Sequence, residues 1–342
     1  MDNIYFSKSS KYDSRPIIID GFSGSGKILV AELLKAVSNT EISKWELSFD
    51  YLPILYSFGS IQKEAAISTL RTIFDEITYT MAIGRELNLR RKDLQFALRH
   101  PKKFEYLKSM LSPAYSDDLI LKKIAPKMNI PFMIHMSSFN NQLMEETFEE
   151  NVKLIYTLRD PLYILETYSS YIDRIRYDPR EFTPKISFKN NDLPWYSKGW
   201  EEEYCSINNT EKSIELIYRC FDLLSKKIKK NKNKYIYKLI FFEDIIINPD
   251  KYFYEITDFL KLSFDEKYYK KIKIKNKIPR KNNDVLEGFW KRYTTNNESR
   301  HGDTDETILK RTKDLINDSY FKKLLILRDK YFQFKEEFGE NF

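Results

Sequence analysis

Glycine is scarce in this chain. There are nine in 342 residues, and three of them, Gly21, Gly24 and Gly26, stand within six positions. Cysteine is scarcer still: Cys205 and Cys220 are the only two. That excludes a disulfide framework, and two thiols in a chain of this length are expected to be reduced and buried. The three histidines, His100, His135 and His301, lie far apart, and no Cys/His spacing has the form of a zinc site. No apolar run approaches the roughly 20 residues that span a bilayer. The opening "MDNIYFSKSSKYDSR" lacks the apolar stretch of a signal peptide. The expected location is therefore the cytoplasm, without stable membrane insertion.

What is present is the material of a globular protein, 42% hydrophobic and 15% aromatic, with length enough for a sizeable core. The net charge of +7 comes partly from "KKIKKNKNK" (226–234) and "KYYKKIKIKNKIPRK" (267–281). A polyanion-binding surface is one reading of those runs. Lysine, asparagine and isoleucine are abundant along the whole chain, which favours a solvated lysine-rich face, and nucleic acid is not expected as a partner.

"RPIIID" (15–20) reads as a buried strand that ends at the glycines, and Leu29, Val30, Leu33, Leu34 and Val37 then recur at helical spacing. "PFMIH" (131–135), "VKLIYTL" (152–158) and "YIYKLIFF" (235–242) read as three more buried strands, with helices at about 211–230 and 249–261. Strands alternating with helices predict an α/β fold, a doubly wound parallel sheet flanked by helices. Residues from about 50 to 125 carry little strand signal and are expected to form a helical insertion or cap. Residues 177–200 and 276–306 read as long loops, and about 276–342 as a C-terminal loop with helices. The chain, 1–342, is expected to be one domain.

The stretch Gly21, Phe22, Ser23, Gly24, Ser25, Gly26, Lys27 fits G-x-x-x-x-G-K and lies between a strand and a helix. There, glycines let backbone N–H groups close around a phosphate at the helix N-terminus. A simple strand-to-helix turn would need one glycine rather than three. Ile28 then stands where nucleoside-triphosphate enzymes give a hydroxyl to Mg²⁺. Isoleucine cannot ligate a metal, so the loop is expected to hold phosphate without the usual magnesium arrangement. "LIFFED" (239–244) is the one stretch with the look of a magnesium-binding strand end, and an acidic pair there can equally cap a helix.

A second phosphate-binding element lies in "LIYTLRDPLYILETYSSYIDR" (154–174). Arg159 ends a strand, where ligands of open α/β sheets bind. Asp160 and Pro161 suit the cap and first position of a helix. Tyr163, Thr167, Ser170, Tyr171 and Arg174 share one face of that helix. The two elements together resemble the sulfotransferase superfamily. So do "IGRELNLRRKDL" (83–94), "LPWYSKGWEEEY" (193–204) and "FFEDIIINPDKYFYEITDFLKL" (241–262), so that the likeness runs from about 15 to 262.

The resemblance implies a donor, 3′-phosphoadenosine 5′-phosphosulfate, and a product, adenosine 3′,5′-bisphosphate, with no metal required. It implies that the first loop, residues 21 to 28, holds the 5′-phosphosulfate. Arg159 and Thr167, with Thr in place of the family's Ser, would hold the 3′-phosphate. Where many members have Pro-Arg/Lys-Ser-Gly-Thr-Thr, Gly24 takes the usual basic position and Lys27 follows the last glycine. Lys27 is therefore expected to reach the transferring group. His135, at a strand end matching that of the catalytic histidine in cytosolic members, is expected to be the general base. A late basic loop near the 3′-phosphate matches either Arg280-Lys281 or Arg300-His301-Gly302. His100 has no such context.

The acceptor is expected to be a small molecule or saccharide, a glycolipid precursor among them, with Tyr163, Trp195, Tyr196, Trp200 and Trp290 as candidate lining. Two other functions stay open at this point. One is a P-loop kinase or NTPase, favoured by Lys27 and "FFED" and opposed by Ile28. The other is a non-catalytic nucleotide- or nucleic-acid-binding protein, favoured by the positive charge.

Overall fold

A computed structural model describes residues 6–7, 9–112, 116–124, 126–136, 142–175, 177–179, 181–230, 236–280 and 304–339. Chain order begins β1 (Arg15–Asp20), α1 (Lys27–Leu34), α2 (Leu47–Ser57), α3 (Lys63–Ala82), α4 (Lys103–Leu111), α5 (Asp117–Ile124), β2 (Asn129–Met133), α6 (Gln142–Phe148) and β3 (Lys153–Leu158). It continues α7 (Pro161–Arg174), β4 (Lys185–Phe188), β5 (Asn191–Pro194), α8 (Glu201–Ser206), α9 (Asn209–Lys230) and β6 (Tyr237–Phe241). The last helices are α10 (Phe242–Ile247), α11 (Pro249–Leu260), α12 (Glu266–Lys275), α13 (Asp305–Leu315) and α14 (Asp318–Phe338).

Four strands form one parallel sheet in the order β2-β1-β3-β6. These are the four expected strands, each displaced by no more than two residues at its ends. β1 pairs on one side with β2 and on the other with β3, so connections leave its neighbourhood in opposite directions. That is the switch point at which open α/β sheets bind ligands. It falls between the loop after β1 and the loop after β3.

The β-branched run of β1 is buried on both faces, as a central parallel strand requires. Ile17 and Ile19 pack with α1, α10, α11 and α12; Ile18 packs with the opposite layer, which includes α3, α6, α7, α9 and α14. α9 shows how a helix of this layer buries one face, against α7 and α14. Its Ile214, Ile217, Phe221, Leu224 and Ile228 recur every three or four residues and are all buried. The stretch from about 50 to 125 is helical, as expected. Its Phe49 stacks on Phe132 of β2 at 4.1 Å between centroids, which pins α2 over the end of that strand. Residues 40–44 run beside β2 as two isolated parallel bridges, Thr40 with Asn129 and Lys44 with Phe132, and cover its outer edge.

Two features differ from the expectation. The expected loop at 177–200 contains the antiparallel hairpin β4–β5. Its turn residues Lys189 and Asn190 both have positive φ, 45° and 65°. That is the backbone of a two-residue turn matching strand twist, made here without the usual glycine. Also, an unexpected helix, α10, follows β6 directly. No helix among the described residues is long and apolar enough to cross a membrane.

Candidate active site

The glycine loop is built by steric necessity. All three glycines have positive φ. A Cβ on Gly21 would stand 2.3 Å from Thr157 Oγ1 and 2.5 Å from the Thr157 carbonyl, and one on Gly26 would stand 2.6 Å from the Phe242 ring. The loop can thus close against β3 and α10 only with hydrogen at those positions. Ser25, which is buried, braces it: Oγ lies 2.8 Å from both the Phe22 carbonyl and Thr157 Oγ1. Thr157 in turn donates to the Asp20 carbonyl at 3.0 Å. Phe22 meets the edge of Tyr168 at 5.2 Å, and Ser23 is half-buried.

α1 starts at Lys27 with left-handed Gly26 as its cap residue and no side-chain cap. Its first-turn N–H groups therefore form the ready anion site of a helix N-terminus. Ile28 leans on the apolar layer formed by α1, α10, α11 and α12. Lys27 is buried, and its ammonium donates to the Ile134 carbonyl at 2.7 Å. Loss of hydration lowers its pKa from 10.5 to about 8, against the opposing pull of Asp20 and Asp50.

Arg159 follows β3 and reaches back to the glycine loop, Nη1 donating to the Gly24 carbonyl at 3.1 Å. Its guanidinium lies over Phe242 at 4.4 Å and near Tyr163 at 5.5 Å. Burial lowers its pKa to about 10; Glu243 pulls the other way and Arg280 adds to the drop. Thr167, two turns along α7, sits beside the same glycine: its Cγ2 is 3.9 Å from where a Gly24 Cβ would be. Asp160 caps α7 by accepting from Leu162 N at 3.0 Å, with Pro161 at the first position. Arg280, whose N–H donates to the Ile246 carbonyl, has its guanidinium 5.6 Å from the centre of the Phe242 ring. The structure thus brings Arg159 and Thr167 to Gly24, with Arg280 at the same aromatic ring as Arg159. Lys281, Trp290, Arg300, His301 and Gly302 lie outside the described residues.

His135 is the first residue beyond the sheet, because Ile134 N still donates to the Ile19 carbonyl. Its imidazole is 30% exposed, lies against Trp45 at 4.7 Å between centroids, and puts Nδ1 3.6 Å from Asp50 Oδ2. Asp50, on α2, also accepts the His135 backbone N–H at 2.7 Å. Neither Asp50 nor Trp45 stood out in the sequence. Asp50 is reached only once α2 folds over β2, and Trp45 only once residues 40–44 line up beside that strand.

The remaining candidates have other roles. Trp195, Tyr196 and Trp200 are buried in an apolar cluster, and of these Trp195 alone reaches the recess that also holds Asp50 and His135. His100 is buried, accepts from Lys102 N at 3.2 Å, and is held neutral by burial and nearby lysines, which push its pKa well below 6.5. The acidic pair after β6 serves the fold: Glu243 accepts from Asp160 N at 2.9 Å and Tyr331 at 2.7 Å, and Asp244 pairs with Lys335 at 2.5 Å. Cys220 is buried and reduced, as expected, whereas Cys205 is reduced but exposed.

Among solved structures the chain is similar to the sulfotransferase domain of the olefin synthase of Synechococcus PCC 7002, with 12% identity, 95% of this chain and 98% of that one covered, and a TM-score of 0.42. It is similar to the sulfotransferase domain from the curacin biosynthetic pathway, with 13% identity, 92% and 97% covered, and a TM-score of 0.40. It is similar, too, to mouse sulfotransferase SULT7A1 complexed with PAP, with 15% identity, 92% and 89% covered, and a TM-score of 0.35. No protein-family model matches the chain, and no curated protein does. At these identities and scores, the three structures are similar to this chain without assigning it an activity.

Proposed function

We propose that this chain is a sulfotransferase that takes a sulfuryl group from 3′-phosphoadenosine 5′-phosphosulfate and delivers it to a hydroxyl or amine of a small-molecule or saccharide acceptor. The observation that carries this reading is the meeting of Arg159 and Thr167 with the glycine loop at Gly24. One nucleotide can then engage two anion sites at once. The loop and the first-turn N–H groups of α1 suit the 5′-phosphosulfate. Arg159, Thr167 and Arg280 suit the 3′-phosphate.

The parts a magnesium–triphosphate site would use point elsewhere. The hydroxyl position is Ile28, packed on apolar neighbours, and Glu243 and Asp244 are engaged by α7 and α14. When bound, the donor supplies an activated S–O bond with a phosphate as leaving group. His135 takes the acceptor's proton as the acceptor oxygen or nitrogen bonds to sulfur. Lys27 and the loop N–H groups meet the charge left on the departing phosphate. Lys27 is held by the carbonyl of Ile134, the residue just before His135, so both groups stand at one strand end, which supports this division of roles.

Isothermal titration with adenosine 3′,5′-bisphosphate in EDTA tests the reading. Binding should need no Mg²⁺, and tighter binding of ATP–Mg²⁺ would overturn it. Arg159→Ala should weaken the bisphosphate by roughly 10- to 150-fold, the worth of a hydrogen bond to a charged group, and adenosine 5′-phosphate far less. Equal losses would remove Arg159 from the 3′-phosphate site. A radiolabelled donor offered to saccharide, lipid and phenol acceptors then reads out transfer itself.

A further inference from the structure

One carboxylate contacts His135 and acts electrostatically on Lys27. Asp50 is nearly buried, with 8% of its side chain exposed. Oδ1 accepts the His135 backbone N–H at 2.7 Å, and Oδ2 faces Nδ1 of the same residue at 3.6 Å. The charge of Asp50 also acts on Lys27, whose ammonium is held by the carbonyl of Ile134. Asp50 is fixed in place by its neighbour: Phe49 stacks on Phe132, in the strand from which His135 emerges. Trp45 lies over the imidazole. With Nδ1 turned to the carboxylate, Nε2 is the nitrogen left for a substrate.

We propose that Asp50 is the positioning residue of the base. It holds a proton on Nδ1, so that the lone pair of Nε2 faces the acceptor, and it stabilises the imidazolium formed when Nε2 takes the acceptor's proton. This inference rests on His135 acting as the base of the proposed transfer. Other charges also face this centre. Lys27 comes from α1, Asp20 from the end of β1, and Glu181 from the segment after α7, where it acts with Asp50 on Tyr51 and Tyr171. Asp50 is the one whose carboxylate lies against the imidazole, Oδ2 to Nδ1.

Asp50→Asn keeps an oxygen for the backbone N–H and removes the charge, so it is the variant of choice; Asp50→Glu restores the charge. Histidine-selective ¹⁵N NMR of the full chain, with the His135 signal assigned by its loss in His135→Gln, reads the tautomer. The wild-type imidazole should carry its neutral proton on Nδ1. In Asp50→Asn the proton should move partly to Nε2, since the carboxylate that favours it on Nδ1 is gone. With an acceptor in hand, kcat should fall on the order of 100-fold, the lower end of what general-base catalysis contributes. Asp50→Glu should recover part of the rate. An unchanged tautomer in Asp50→Asn would overturn the proposal, as would an altered tautomer with an unaltered kcat. A wild-type protein that transfers no sulfuryl group would count against the sulfotransferase reading, while the NMR would still uphold or overturn the Asp50–His135 pairing.

Discussion

Lys27 carries its charge where hydration is lost, and its pKa of about 8 makes the loop sensitive to pH. A bound phosphate would favour the ammonium and raise that pKa, so binding must take up a proton wherever the free side chain is partly neutral. Affinity for adenosine 3′,5′-bisphosphate should therefore be level in this respect below pH 7 and fall as pH rises through 8. Titration at pH 8.5 in buffers of different ionisation enthalpy should show net proton uptake, lost in Lys27→Met. Uptake unchanged by that substitution would place Lys27 apart from the anion site. The place of Lys27 and Ile28 at a strand-to-helix turn could be read from the sequence because its signal is local, set by the glycines beside them. The place of His135 could be read because a strand end is visible in the pattern. Asp50 could not, because it lies 85 positions from His135 and its role depends on where a helix lands. Trp195, Tyr196 and Trp200 show the same limit from the other side: an aromatic in a loop-like stretch lines a site or fills a core according to neighbours that spacing does not reveal.

At the scale of the element, the loop after β1 depends on hydrogen at Gly21. Gly21→Ala would set a methyl against the hydroxyl and carbonyl of Thr157, in a left-handed conformation that alanine resists. The loop would have to lift from β3, breaking the Ser25–Thr157 brace. The expected cost is about 1–3 kcal/mol of stability, read by urea denaturation, together with loss of measurable bisphosphate binding. Gly59 is the control. It also has positive φ, but an added Cβ would meet nothing within 4 Å, so Gly59→Ala should cost stability and leave binding intact. Equal binding in the two variants would mean that the loop's shape is not what holds the nucleotide. The four parallel strands could be read because each is a continuous apolar run, the mark of a strand buried on both faces. The β4–β5 hairpin could not, because Lys189 and Asn190 adopt a turn that most sequences make with glycine.

Across the whole molecule, the site is fastened from the far end of the chain. Arg328 on α14 forms a bidentate pair with Asp160, at 3.0 and 2.6 Å, and also reaches Asp305 at 2.6 Å. Three residues on, Tyr331 bonds to Glu243, which itself accepts from Asp160 N. Asp160 follows Arg159 and caps α7, so α14 helps set the position of the proposed 3′-phosphate group. Pairing over 168 positions leaves no periodic trace in a sequence, which is why a C-terminal helix read only as a helix turns out to brace the site. The two arms of Arg328 should differ in worth. The Asp160 carboxylate is 4% exposed and Arg328 11%, whereas Asp305 is 50% exposed. Arg328→Ala leaves a buried carboxylate with its cap bond alone and should cost about 3–5 kcal/mol. Asp305→Asn weakens only the outer arm and should cost about 0–1 kcal/mol. Chemical denaturation measures both. If the two variants lose equal stability, the buried arm contributes nothing beyond the exposed one, and α14 does not hold the N-terminus of α7. If Arg328→Ala alone also weakens bisphosphate binding, the tie extends through Asp160 to the neighbouring Arg159.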